Sequence, residues 1–424
     1  MIFRDRDDEK GPEIMDNDVS VLRRLAAQYL LVANDPVIPE RMRLHRAVND
    51  LRPIRPVVVI SEIPWHELNA DGSLTLRCAD PDLRQAEEYF RRVLFQWKYF
   101  PADMIVPPYY GVRKIIKSTG IGIEVHETKL GSGDGVSSHA YINQIEDASS
   151  LNMLHNEKIT YLKEETEKKF RKISDAVGDI LPVKITGLET GYEIGCKNWD
   201  IIAELMGAEN LYFALADDPD LMHLLAAKLT DIFLDSVRQY EELGLFEPNQ
   251  LMLHGTTALN STLQKGLDPL NVTAKHMWGR GLAQIFASVS KAMRDEFDIT
   301  YMQKAMAPFG LVYYGCCEPL HNMVDILEKI PNLRKITMTP WANVDEGAQA
   351  IGKKYVMASK PNPAFVLDTS LNRDTIEKEL GRIVSAAARN GCACDIALKD
   401  ISSVNGRLEN LVEWEKIAMR AVNS

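Results

Sequence analysis

Residues Gly310 to Leu327, GLVYYGCCEPLHNMVDIL, decide how this chain is read. Leu311 to Tyr314 are consecutive apolar or aromatic residues, which predicts a short buried strand. Gly315 then releases the chain into Cys316, Cys317, Glu318, Pro319 and His321. Pro319 suits the first turn of a helix, and Leu320, Met323, Val324 and Leu327 recur at helical spacing behind it. Strand, reactive loop and helix together make one β/α unit. In folds built from such units, sites form at the carboxyl ends of the strands, where loops converge and helix N-termini point at the ligand.

Working outward, the same unit recurs. VVVIS, MIVPP, VKITG, LMLHG, LVYYG, KITMT, YVMAS and CDIAL are eight strand candidates with helical stretches between them, the pattern of an α/β protein with a parallel (β/α)8 TIM barrel. The barrel is expected over residues 56–424, behind an N-terminal helical extension, 1–55. Gly120 to Leu130 alternates like a hairpin strand and runs into GSGDGVSSH, either a lid or a flexible insertion.

The chain has 424 residues, 46% of them hydrophobic, enough for one large core. A net charge of −11 leaves no basic surplus to neutralise phosphates, which argues against nucleic-acid and anionic-membrane partners. No apolar run has transmembrane length, and the start, MIFRDRDDEKGPEIMDND, is charged where a signal peptide needs an apolar segment. A cytoplasmic protein is expected. Six cysteines are too few for a disulfide framework in so long a chain, so clustered ones read as ligands or nucleophiles.

Thiolate, imidazole and carboxylate are the ligand types of zinc, which makes Cys316, Glu318, His321 and the distant Cys392 candidate metal ligands. No tight CxxC or HExxH spacing accompanies them. Glu62, Trp65 and His66 follow the first strand, and His254 ends LMLHG. Tyr314, Glu318, His66 and Glu62 are the catalytic candidates. Trp65, His254, Trp278, Gln284, Tyr313, Trp341, Lys360 and Asn362 are the candidates for binding substrate; the alternative for each aromatic is core packing. Asp400, after the last strand, is a further polar group at the mouth.

DDPDLMHLL, MWGRGLAQIFASVSKAMRDEF, GLVYYGCCEPLH, KITMTPWANVD and NGCACDIALKDISSV, spread over residues 200 to 415, resemble the uroporphyrinogen decarboxylase superfamily, and within it the corrinoid-dependent methyltransferase branch. In that branch a His-x-Cys at this strand end and a distant cysteine hold a zinc. The resemblance places the cysteines on Cys316 and Cys392, and the histidine position on Tyr314. Either Glu318 or His321 completes a rearranged zinc site, or Tyr314 marks an enzyme that binds its substrate without metal. The resemblance implies transfer of a methyl group between a small methylated compound, a methoxylated aromatic or a methylamine, and the cobalt of a corrinoid, as in anaerobic O-demethylation. The chain lacks an Asp-x-His-x-x-Gly corrinoid-binding motif, so the cobalamin is expected on a partner protein. Two rival expectations are a decarboxylase acting on a tetrapyrrole-like acid and a corrinoid-binding protein without turnover.

Overall fold

The computed structural model describes residues 17–131, 137–189, 193–369 and 371–424. In chain order its strands are β1 (Val57–Ile60), β2 (Tyr110–Arg113), β3 (Ile116–Ser118), β4 (Glu127–Gly131), β5 (Ser137–Tyr141), β6 (Ile159–Tyr161), β7 (Val183–Thr186), β8 (Trp278–Gly281), β9 (Leu311–Tyr314), β10 (Leu333–Met338), β11 (Val356–Ser359) and β12 (Ala393–Leu398). Six of them form one parallel sheet in the order β1-β12-β11-β10-β9-β8. Every residue of β1, β9, β11 and β12 is buried, as expected of apolar strands covered on both faces.

The protein is a mixed α/β fold, and an eight-stranded ladder does not form among the described residues. β2 and β7 pair with each other in a separate parallel sheet, and isolated parallel bridges, Leu188 with Phe246 and Cys196 with Gly281, lie between that pair and β8. MIVPP is not a strand: Pro107 and Pro108 have no N–H to donate, and pairing starts only at Tyr110. LMLHG turns back instead of extending, with Leu253 N–H bonded to the Thr256 carbonyl around Gly255 at φ 66°. Trp278–Gly281, two glycines and an arginine among its four residues, is a strand with no apolar run to announce it. The hairpin is present as β4 with β5, and residues 132–136 of the Gly/Ser loop lie outside the described residues.

Helices Asp18–Ala33 and Val37–Asn49 account for the helical N-terminal stretch. The first packs on helices Pro81–Tyr99 and Lys163–Val177, the second on β1 and β12. Inside the sheet's concave face, Lys335 of β10 reaches across β11 to Asp395 of β12, 2.7 Å away and fully buried. Thr256 and Thr257 supply the other acceptors, and the ammonium lies 5.7 Å from the Trp278 ring. That ion pair joins strands separated by a third, so the sheet curls around it. Among the described residues no helix is long and apolar enough to cross a membrane.

Candidate active site at the carboxyl ends of the strands

The turn after β9 delivers the central cysteine. Gly315 has φ 111°, and a Cβ there would sit 2.7 Å from Leu320 and 3.0 Å from Thr337, so only glycine serves. Glu318 then fixes the loop: its carboxylate accepts the Cys316 N–H at 3.0 Å and the Ala283 N–H at 3.3 Å, with Arg294 Nη1 3.9 Å away. Glu318 is fully buried, is spent on these loop contacts, and does not line the cleft beside Cys316.

Cys316 Sγ is 3.5 Å from His254 Nε2 and 3.6 Å from Cys317 Sγ. On the other side of the ring, His254 Nδ1 lies 3.6 Å from Glu62 Oε1. Thiol, imidazole and carboxylate thus stand in a row, an arrangement able to activate a cysteine. Glu62 is itself held: Oε2 lies 3.1 Å from Lys399 Nζ and accepts the Asp400 N–H at 3.0 Å. Glu62 and Asp400 both have positive φ, 51° and 56°. Non-glycine residues there are strained, and such strain collects where a side chain must be held in place.

Charge follows from these contacts. The Cys317 S–H donated to Cys316 Sγ outweighs burial and, with His254, Lys360 and Arg280, holds the Cys316 thiol well below its ordinary pKa. Cys317 moves the opposite way, because it gives the shared hydrogen bond to an anion. Burial lowers the His254 pKa, against the raising effect of Cys316. These contacts favour the thiolate at Cys316 and the thiol at Cys317.

The thiolate lies in the wall of a cleft of about 400 Å³, lined by Cys317, Thr339, Lys360, Asn362, Lys399 and Asp400 on its polar side. Pro340, Trp341, Pro361, Pro363 and Leu367 form its apolar side. Trp341 is 70% exposed, a large aromatic offered to solvent at the mouth.

The sequence candidates separate accordingly. Cys316, Glu62, His254, Trp341, Lys360 and Asn362 come together. Cys392 does not: it precedes β12, whose carboxyl end carries Lys399, and six residues of strand at roughly 3.3 Å each put it about 20 Å away. Its thiol donates to the Ala348 carbonyl at 3.1 Å. His321 Nε2 faces Glu346 at 3.8 Å, away from the cysteines. Tyr314 is buried beneath the loop, bonded to Arg294 at 3.0 Å and to Asp298. Tyr313 bonds Thr337 at 2.7 Å and, with Trp278, fills the interior of the sheet. Trp65 packs on Phe95 and Arg92, and His66 is exposed beside it on a different, smaller cleft. Gln284 is exposed and pairs with Asp200. The zinc set Cys316, Cys392, Glu318 and His321 therefore does not fit one ion, and among the described residues no three His, Cys, Asp or Glu side chains converge as ligands. Sequence reasoning missed Cys317 as a proton donor, Thr339 and Lys399; their position just past a strand end was the available signal.

No family profile and no curated protein sequence matches the chain. Among solved structures it is similar to a methyltransferase from Methanosarcina mazei, with 13% identity over 89% of this chain and 97% of that one and a TM-score of 0.48.

Proposed function

We propose that the protein is a methyltransferase of the (β/α)8 type, moving a methyl group between a small methylated compound and the cobalt of a corrinoid carried by a partner protein. Residues 56–424 are the catalytic barrel and the two helices within residues 17–55 its N-terminal extension, residues 1–16 lying outside the described residues. The pairing of β1 with β12 supports the barrel, since it joins the first strand to the last. Six cysteines without a disulfide suit the reducing cytoplasm.

The observation that carries the proposal is Cys316 in the wall of the cleft, its sulfur 3.5 Å from His254 Nε2 and 3.6 Å from Cys317 Sγ, with Glu62 behind the imidazole. Methyl transfer from a methoxy or methylamino group leaves an oxygen or nitrogen that needs a proton, and the reverse direction needs that proton removed. Cys317 Sγ in the cleft wall, and Cys316 Sγ with His254 Nε2 3.5 Å behind it, are the groups placed to exchange that proton. General acid–base help of this kind is worth roughly 10²–10⁴-fold in rate. The apolar rim of Pro340, Trp341, Pro361, Pro363 and Leu367 fits the flat face of a corrin ring. When present, the corrinoid supplies the cobalt nucleophile that takes the methyl group. The residues expected to hold zinc lie apart, so no step here uses that metal.

An anaerobic assay tests the proposal: reduced cobalamin, the purified protein, and a panel of methoxylated aromatics, methylamines and methylthiols, followed spectroscopically. Conversion to methylcobalamin by one class, lost in Cys316→Ser, is the expected result. Release of carbon dioxide from a carboxylated tetrapyrrole instead, or tight cobalamin binding with no methyl transfer, would overturn it.

A further inference from the structure

We infer that the cleft takes a compound bearing an anionic oxygen group, a carboxylate above all, seated between Lys360 Nζ and Thr339 Oγ1, with its apolar body against the proline and tryptophan wall. This rests on the proposed methyl transfer and names its substrate class: a methoxylated aromatic carboxylate, not a quaternary methylammonium.

The two donors sit side by side because of the strand register. Met338 of β10 pairs with Ser359 of β11, so Thr339 and Lys360 are the next residues on neighbouring parallel strands, and the Lys360 N–H bonds the Met338 carbonyl at 2.8 Å. Lys360 Nζ reaches the Cys316 carbonyl beyond β9, so its side chain crosses β10, the strand that leads to Thr339. Both side chains are more than nine-tenths buried, Thr339 at 5% exposure and Lys360 at 4%, and both line the cleft.

Neither has its hydrogen-bonding capacity filled. Thr339 Oγ1 is buried with no partner among the described residues. Lys360 Nζ donates to the Cys316 carbonyl at 2.8 Å, which leaves two of its three N–H groups for another acceptor. Buried polar groups left this way cost free energy until something pairs with them. Asp400, the carboxylate lining the cleft, has its ion pair with Lys399 Nζ at 2.5 Å and feels Lys360 only at longer range. Pro340 and Pro361, the residues after Thr339 and Lys360, form apolar rails on either side of the seat. A carboxylate in the seat accepts from the Thr339 hydroxyl through one oxygen and from Lys360 through the other, which turns the rest of the molecule toward Trp341 and the mouth.

Benzoate, benzamide and phenyltrimethylammonium, titrated calorimetrically into the full chain without any corrinoid, test this. Charge-assisted hydrogen bonds of this kind are worth about tenfold to a hundredfold in affinity, so benzoate should bind at least about tenfold more tightly than the other two. Lys360→Met should abolish the preference, Lys360→Arg should keep it, and Thr339→Val should reduce it several-fold. Bound benzoate also competes with the Cys316 thiolate for the Lys360 cation, so it should shift the pH profile of Cys316 alkylation upward. Equal or tighter binding of benzamide or of the cation, no benzoate binding at millimolar concentration, or a preference that survives Lys360→Met would overturn the inference. Because no methyl group and no corrinoid take part, a failed methyl-transfer assay and a failed anion seat are separate results.

Discussion

Cys316 and Cys392 are buried to nearly the same degree, 4% and 6% exposed, yet they stand at opposite ends of the sheet in opposite electrostatic surroundings. At the carboxyl ends, Cys316 receives an S–H from Cys317 and faces an imidazole and buried cations, so its thiol ionises readily. At the amino end, Cys392 gives its proton to a backbone carbonyl, and burial pushes its pKa up to about 11. The same residue type is favoured as a thiolate in one place and is an apolar filler in the other. Burial alone does not distinguish them, because the sign of the shift is set by what the strand ends bring near the sulfur.

Removing each sulfur tests the contrast most directly. Cys316→Ser should lower methyl-transfer activity by roughly 10²–10⁴-fold, the range of general acid–base contributions, while leaving the fold intact. Cys392→Ser, which keeps a donor for the Ala348 carbonyl, should leave activity unchanged and cost no more than about 1 kcal/mol, read from denaturant midpoints. An equal loss of activity in both variants would place the two cysteines in one site after all.

The contrast also has a kinetic signature. An ordinary thiol with a pKa near 8.5 loses about tenfold in alkylation rate per pH unit below it. Labelling of Cys316 by iodoacetamide, followed by mass spectrometry, should therefore stay nearly flat from pH 8 to pH 6, and Cys392 should stay unlabelled in the native protein. His254→Gln removes one of the stabilising partners and should move the Cys316 profile upward by about one unit. A Cys316 profile that falls like a free thiol's would remove the basis for its role.

What was legible in the sequence follows the same physical line. VVVIS, VKITG, LVYYG, KITMT, YVMAS and CDIAL are strands, and all but VKITG are continuous buried runs in the six-stranded parallel sheet. Trp278–Gly281 escaped because a strand can be completed by its neighbours' hydrogen bonds without apolar side chains of its own, and LMLHG misled because Gly255 turns the chain where the run continues. The loop after β9 was recognisable as a candidate site from its residue types alone. Its partners were not: His254 and Glu62 lie 62 and 254 residues from Cys316, and only the curled sheet joins them. The expected link to Cys392 came from the family resemblance, and strand direction sets it at the far end. Tyr314, standing where the family's histidine is expected, turns into a buried polar network under the loop.

That network carries the smallest expected effect. Arg294 and Asp298 come from a short π-helical turn, Arg294–Ile299, and meet Tyr314 and Glu318 in full burial. Burial raises the Asp298 pKa to about 7, against the lowering effects of Arg294 and of the Tyr314 hydroxyl. In the unfolded chain an aspartate titrates near 3.9, so between pH 4 and 7 the folded state binds up to one more proton than the unfolded state at this position. Stability then falls as pH rises through that window, since the proton held by the folded form is progressively lost. Glu189 and Glu379, both raised to about 7 by burial, act in the same direction. Asp298→Asn, which keeps an acceptor for the Tyr314 hydroxyl, should remove its share, so that denaturation midpoints measured across this range decline less steeply than in the parent protein. It should do so without moving the Cys316 alkylation profile, because Asp298 supports the loop through Tyr314 and Arg294 and never faces the sulfur. A shift of both readouts together would mean that the network tunes the thiolate as well as holding the loop that carries it.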